Sequence, residues 1–118
     1  MNTERNFGNG SDQYEFVKNN LENSSSDNYK IIISHKNFIS CECSHSPNVD
    51  YTLYQSLFKK YGVDLVLSGH NHNYQRFSPI DNVTYIINGL GGASQYDLEN
   101  ADEYNNTHKY ENRFSDTY

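Results

Sequence analysis

The sequence predicts an α/β fold built on a strand-helix-strand unit, and three observations predict it. Lys30 to Ser34 carries three consecutive isoleucines between polar residues, a short β-branched run that reads as a strand buried on both faces. Behind Asp50, the residues Leu53, Tyr54, Leu57, Phe58 and Tyr61 recur at helical spacing. Val63 to Ser68, Val-Asp-Leu-Val-Leu-Ser, is a second buried run and stops at Gly69. A helical connection of this length joins parallel strands, nearly always with right-handed crossover, so both strands end on one edge of the sheet.

The elements follow in order. Residues 1–12 are polar and rich in turn formers. A first helix starts at Asp12, which has the capping-box spacing to Glu15 and is followed by Tyr14, Val17 and Leu21 on one face. The run Asn23-Ser24-Ser25-Ser26-Asp27-Asn28 ends it, because these side chains compete for the backbone and favour turns. The isoleucine strand delivers His35 at its carboxyl end, and a loop with Cys41, Cys43, His45 and Pro47 leads to the second helix, capped by Asp50 and stopped by Gly62. After the second strand and a turn around Pro79 to Asn82, a third strand, Val83 to Asn88, runs into Gly89-Leu90-Gly91-Gly92. From Ala93 onward apolar periodicity is lost and Asp97, Glu99, Asp102 and Glu103 mark an acidic stretch, read as a long loop with a polar tail over 98–118.

Composition narrows the function classes. With 9 basic against 15 acidic residues in 118, the net charge is -6. Binding nucleic acid by phosphate neutralisation needs clustered Lys and Arg, and none are clustered here, so no nucleic-acid surface is expected. The longest apolar runs are three to four residues, so no membrane span is expected either. Only 35% of residues are hydrophobic, which predicts a thin core. Cys41 and Cys43 are too close for a relaxed bridge and lack C-x-x-C spacing, so both are read as thiols.

Three of the five histidines converge by topology alone. His70-Asn71-His72 follows Ser68-Gly69 at the mouth of a buried strand, and His35 arrives at the same edge. Ligands bind at the carboxyl ends of strands in open α/β sheets. Neutral imidazole is the commonest transition-metal ligand, so His35, His70 and His72 are metal-ligand candidates for zinc, iron or manganese. Gly69 is read as the residue that lets the chain bend to present them.

The segment from Val63 through Ser68-Gly69-His70-Asn71-His72-Asn73-Tyr74-Gln75-Arg76 resembles the last signature of the calcineurin-like metallophosphoesterases, in the Gly-His-x-His-x-Tyr-x-Arg form similar to purple acid phosphatases. Ile31 to His35 resembles the family's strand ending in a metal-binding histidine, and Thr84 to Gly92 its following strand and glycine loop. The resemblance covers about residues 11–97. It implies the carboxyl-terminal part of a metallophosphoesterase-type β-sandwich flanked by helices, with 1–118 forming a partial domain. It also implies a phosphoester substrate, hydrolysed by hydroxide made at two metal ions (Fe, Zn or Mn). His35 and His70 would bind one ion and His72 the other. His45 resembles the non-ligand histidine that bonds the phosphate or protonates the leaving group; a structural surface histidine is the other reading. Tyr74 and Arg76 are read as framework residues.

The sequence departs from the family pattern in two places. Asn37 stands where a proline usually follows the metal histidine, which bears on loop geometry. The family's earlier motifs, Asp-x-His, Gly-Asp-x-x-Asp or Tyr, and Gly-Asn-His, do not occur, so the bridging carboxylate and the asparagine ligand are absent and the site is incomplete. The expectation is a carboxyl-terminal segment of a longer enzyme, lacking the other half of its own domain and inactive alone. A non-catalytic metal-binding or structural remnant is the alternative. A local zinc cluster of His35, Cys41, Cys43 and His45 is a third, disfavoured by the C-x-C spacing.

Overall fold

The computed structural model describes residues 1–41 and 50–95, together with the backbone of 110–114. Helix α1 spans Asp12–Glu22 and is capped by Ser11, whose hydroxyl accepts from the Tyr14 amide. The cap thus lies one residue before the expected Asp12, which sits in the first turn, where its charge suits the helix dipole. Strand β1, Ile31–Ile33, leads to helix α2, Tyr51–Tyr61, capped by Asp50 and closed by Gly62 in the left-handed conformation, as expected. Strand β2, Leu65–Ser68, pairs in parallel with β1, which places both carboxyl ends on one edge.

The expected α/β architecture with its strand-helix-strand unit is present, and the chain adds two strands that were not expected. Tyr74–Phe77 forms a strand, β3, where only framework residues were anticipated. Strand β4, Thr84–Asn88, pairs in parallel with β2 and antiparallel with β3. A further strand, β5, Tyr110–Phe114, pairs antiparallel with β3 and interrupts the loop expected from Ala93 onward. The sheet order is β1-β2-β4-β3-β5. Both strands escaped periodicity reasoning because they are polar and take their order from neighbours in the ladder.

Register assigns the faces. Ile32, Val66 and Tyr85 are paired neighbours across β1, β2 and β4 and lie on one face. That face meets Val17 and Leu21 of α1 and Tyr54, Leu57 and Phe58 of α2 in a single core. The helices also touch directly through the Tyr14 and Tyr54 rings, 5.8 Å apart and edge to face. The opposite face carries Ile31, Leu65 and Thr84, then Ile33, Leu67 and Ile86. Ile31 is 53% exposed and Ile33 65%, which corrects the expectation of a strand buried on both faces: β1 is an edge strand covered by helices on one face only.

Two outcomes follow from this packing. Ile31→Lys and Ile33→Lys should change unfolding free energy by no more than about 0.5 kcal/mol each, since substitutions at exposed sites fall in that range. Ile32→Lys, facing the core, should cost several-fold more; equal losses in chemical denaturation would refute the face assignment. Burial also pushes the Tyr54 phenol up to about 12 and raises that of Tyr85 further. A raised tyrosine favours folding while it stays neutral. Stability should therefore be constant up to about pH 10, the unfolded value, and fall as pH rises beyond it. Tyr85→Phe should flatten that decline in pH-dependent melts.

Candidate metal centre

The three parallel strands end together, and the candidate site is built on that edge. β1 runs through Ser34, whose amide donates to Leu67 O at 3.1 Å, into His35. The Gly69 amide donates to His35 O at 3.0 Å, tying the end of β2 to the end of β1. The loop after His35 is held from below by Thr3, a buried residue whose hydroxyl accepts from the Lys36 amide at 2.9 Å. His35 is exposed at the surface, and His70 and His72 are half-buried.

The crossing from β2 to β3 passes over the end of β4, and this crossing sets the site. A Cβ placed on Gly89 would stand 1.8 Å from Asn71 O and 2.6 Å from its carbonyl carbon, so only glycine admits the contact. The Gly89 amide donates to Asn73 O at 3.1 Å, which seals the crossing. Gly69, expected to supply the bend, has no such need: its nearest neighbours to a new Cβ are at 3.9 Å, ordinary contact. The unusual torsion belongs to His70 itself, with φ of 68°. That left-handed conformation costs an L-residue roughly 1–2 kcal/mol, and such strain concentrates at functional sites.

From His70 to Phe77 the side chains alternate. Asn71, Asn73, Gln75 and Phe77 are buried, while His70, His72, Tyr74 and Arg76 are half-buried on the alternate positions. The buried amides form a ladder. Asn71 Nδ2 donates to Ser40 Oγ at 2.7 Å, and Gln75 Nε2 donates to Asn73 Oδ1 at 2.8 Å. Gln75 Oε1 accepts from the Cys41 amide at 2.9 Å and from its thiol at 3.1 Å. The loop that carries His35 is thereby fastened to the segment that carries His70 and His72. Sequence reasoning missed these amides. The available signal was an unbroken alternation of Asn, Asn and Gln with His, His, Tyr and Arg.

The structure brings His35 and His70 together. His70 Nδ1 lies 3.3 Å from His35 Nε2, and the rings meet edge to face with centroids 5.2 Å apart. Two nitrogens each bound to one tetrahedral ion at zinc distances lie about 3.3 Å apart, so this pair fits two ligands of a single metal. The same separation suits an N–H···N hydrogen bond. His72 is held separately, with Nδ1 2.8 Å from Ser94 O. Among the described residues, no group of three or more His, Cys, Asp or Glu is arranged to hold a metal. The imidazole pair therefore fits one ion's partial ligand set, and the described residues do not complete a two-ion centre. His45 and Cys43 lie outside the described residues.

The glycines give a direct test. Gly89→Ala should destabilise by about 3 kcal/mol or more, because backbone must move to admit the methyl group. Gly69→Ala should cost less than about 1 kcal/mol. Equal melting temperatures for the two variants would show that the crossing is not the tight point.

The calcineurin-like phosphoesterase family model matches residues 1–74. The chain is 32% identical over 83 residues to the Fe(3+)-Zn(2+) purple acid phosphatase 12 of Arabidopsis thaliana, an alignment covering 66% of this chain and 18% of the relative. It spans about a fifth of that relative's length. Among solved structures, a purple acid phosphatase from yellow lupin (Lupinus luteus) seeds superposes with a TM-score of 0.84 at 23% identity, over 98% of this chain and 24% of the other. GAP50, the anchor in the inner membrane complex of Plasmodium, superposes at 0.68 with 21% identity, over 88% of this chain and 31% of its own.

Proposed function

The chain belongs to the calcineurin-like phosphoesterase family, and on that premise we propose that it supplies the histidine edge of a metal-dependent phosphoesterase site. His35 and His70 hold one ion and His72 contributes to a second. The single observation that carries this reading is the 3.3 Å separation of His35 Nε2 and His70 Nδ1. Iron and zinc, the metals in the name of the Arabidopsis relative, both suit imidazole. When bound, such ions supply Lewis-acid polarisation of phosphoryl oxygens and acidify a water for attack on phosphorus.

The chain's own residues bind and orient. The Asn71-Ser40 and Gln75-Cys41 hydrogen bonds keep the two histidine loops at fixed separation, so little ordering remains when a ligand arrives. His45 is assigned the hydrogen bond to substrate phosphate or the proton for the leaving oxygen. Two cations about 3.5–4 Å apart need anionic ligands between them. We assign those carboxylates to polypeptide outside these 118 residues, and the isolated chain is then inactive. The absence of a three-ligand group among the described residues favours the second reading, a metal-binding or structural remnant without catalysis.

Zinc titration by calorimetry, paired with a p-nitrophenyl phosphate assay, tests both. Wild-type chain should bind zinc without turnover. His35→Ala and His70→Ala should each weaken binding at least as much as loss of an outer-shell partner does, roughly 10–100-fold. Unchanged affinity in both variants sinks the shared-ion assignment. Metal-dependent turnover by the wild-type chain, lost in His70→Ala, would overturn both the remnant reading and the need for outside ligands.

A further inference from the structure

We propose that the loop after β4, residues 89–94, is the positioning device for His72, holding its proton on Nδ1 and its lone pair on Nε2. His72 Nδ1 lies 2.8 Å from Ser94 O. A carbonyl oxygen has no proton to give, so at that distance Nδ1 must be the donor, and the neutral ring is left with its lone pair on Nε2. A ring nitrogen that donates to a backbone carbonyl is the usual way a protein fixes the tautomer and plane of a ligand imidazole. The purpose assigned to this contact rests on the proposed ligand role of His72, whereas the tautomer itself does not.

The contact sets His72 apart from its neighbour. His70 turns Nδ1 toward His35, whereas His72 turns Nδ1 toward Ser94. On the proposed ligand roles, His70 would offer Nδ1 to its ion and His72 would offer Nε2. The left-handed His70 and the crossing at Gly89 start the divergence, and the glycine loop completes it.

Gly92 is the residue on which that loop depends. Its φ of 115° lies where L side chains are rarely found, although a Cβ there would meet nothing within 4 Å. Any substitution at Gly92 therefore acts through the backbone and not through a clash. Gly91 is equally open and has no positive φ, so it serves as the matched control.

The experiment is long-range 15N-1H correlation of histidine-labelled full chain, at a pH where the rings are neutral, for wild type, Gly91→Ala and Gly92→Ala. Wild type and Gly91→Ala should show His72 protonated on Nδ1. Gly92→Ala should move it toward the Nε2-protonated form while the His35 and His70 signals stay. Zinc affinity, carried in this chain by the His35 and His70 pair, should be unchanged in both variants. An Nε2-protonated His72 in wild type, or an unchanged tautomer in Gly92→Ala, overturns the proposal. A tautomer shift accompanied by a roughly tenfold loss of zinc affinity would show that Gly92→Ala disturbs the His35 and His70 pair as well, and would count against a contact confined to His72. If Gly92→Ala does not fold, His72→Asn and His72→Ala decide. The Asn amide nitrogen can take the place of Nδ1, so Asn should melt higher than Ala, and equal melting temperatures count against the contact.

Discussion

The arrangement hangs on one backbone crossing, Asn71 over Gly89. β3 lies beyond β4 in the sheet although it precedes β4 in the chain, so the segment leaving β2 has to pass over the end of β4. A five-residue passage, 69–73, leaves no slack for a detour, and the strands stand at normal sheet spacing. The crossing is possible only if one backbone admits the other at near contact, and Gly89 is where it does. Two of the three candidate histidines on this edge inherit their position from that contact. His70 and His72 sit on the crossing segment itself, and the return loop that reaches His72 begins at Gly89.

A second constraint keeps the crossing from sliding. The amides of Asn71, Asn73 and Gln75 are wholly buried, and a buried polar group without a partner costs about 1–3 kcal/mol. A shift by one residue would turn this set outward and bring His70, His72, Tyr74 and Arg76 inward. The ladder through Ser40 and Cys41 therefore selects one register, at the expense of apolar burial in a chain that has little to spare. Polar burial of this kind is weak as a source of stability and effective as a source of uniqueness.

This division explains how much was legible in the sequence. The isoleucine run, the Leu53-Leu57-Tyr61 spacing and the Val63–Ser68 run gave the parallel unit correctly, since apolar period is a local property. The same reasoning brought His35 and His70 to one edge, where the structure has their rings in contact. What escaped it was non-local. β3 is too polar to announce itself, and it is a strand because β4 and β5 flank it. Gly69 looked like the hinge because it adjoins His70, yet the demand for glycine comes from Gly89, 20 residues later and adjacent only in space. The cap at Ser11 instead of Asp12 is a smaller case: two adjacent residues both have capping oxygens, and only the backbone torsion distinguishes them.

The one apolar prediction that failed bears on function. Ile31 and Ile33 have the composition of a strand covered on both sides, but helices cover only the face that Ile32 shares. Leu65, Leu67 and Ile86 extend the same face and are half-buried. The candidate site has a parallel shortfall, with two imidazoles in contact and, among the described residues, no group of three side chains arranged to hold a metal. These shortfalls are independent, one in packing and one in ligand count. Apolar residues kept on an open face lower stability in a chain that must stand alone. Both shortfalls are relieved if further polypeptide covers the sheet and supplies the anionic ligands, the arrangement on which the proposed phosphoesterase role depends.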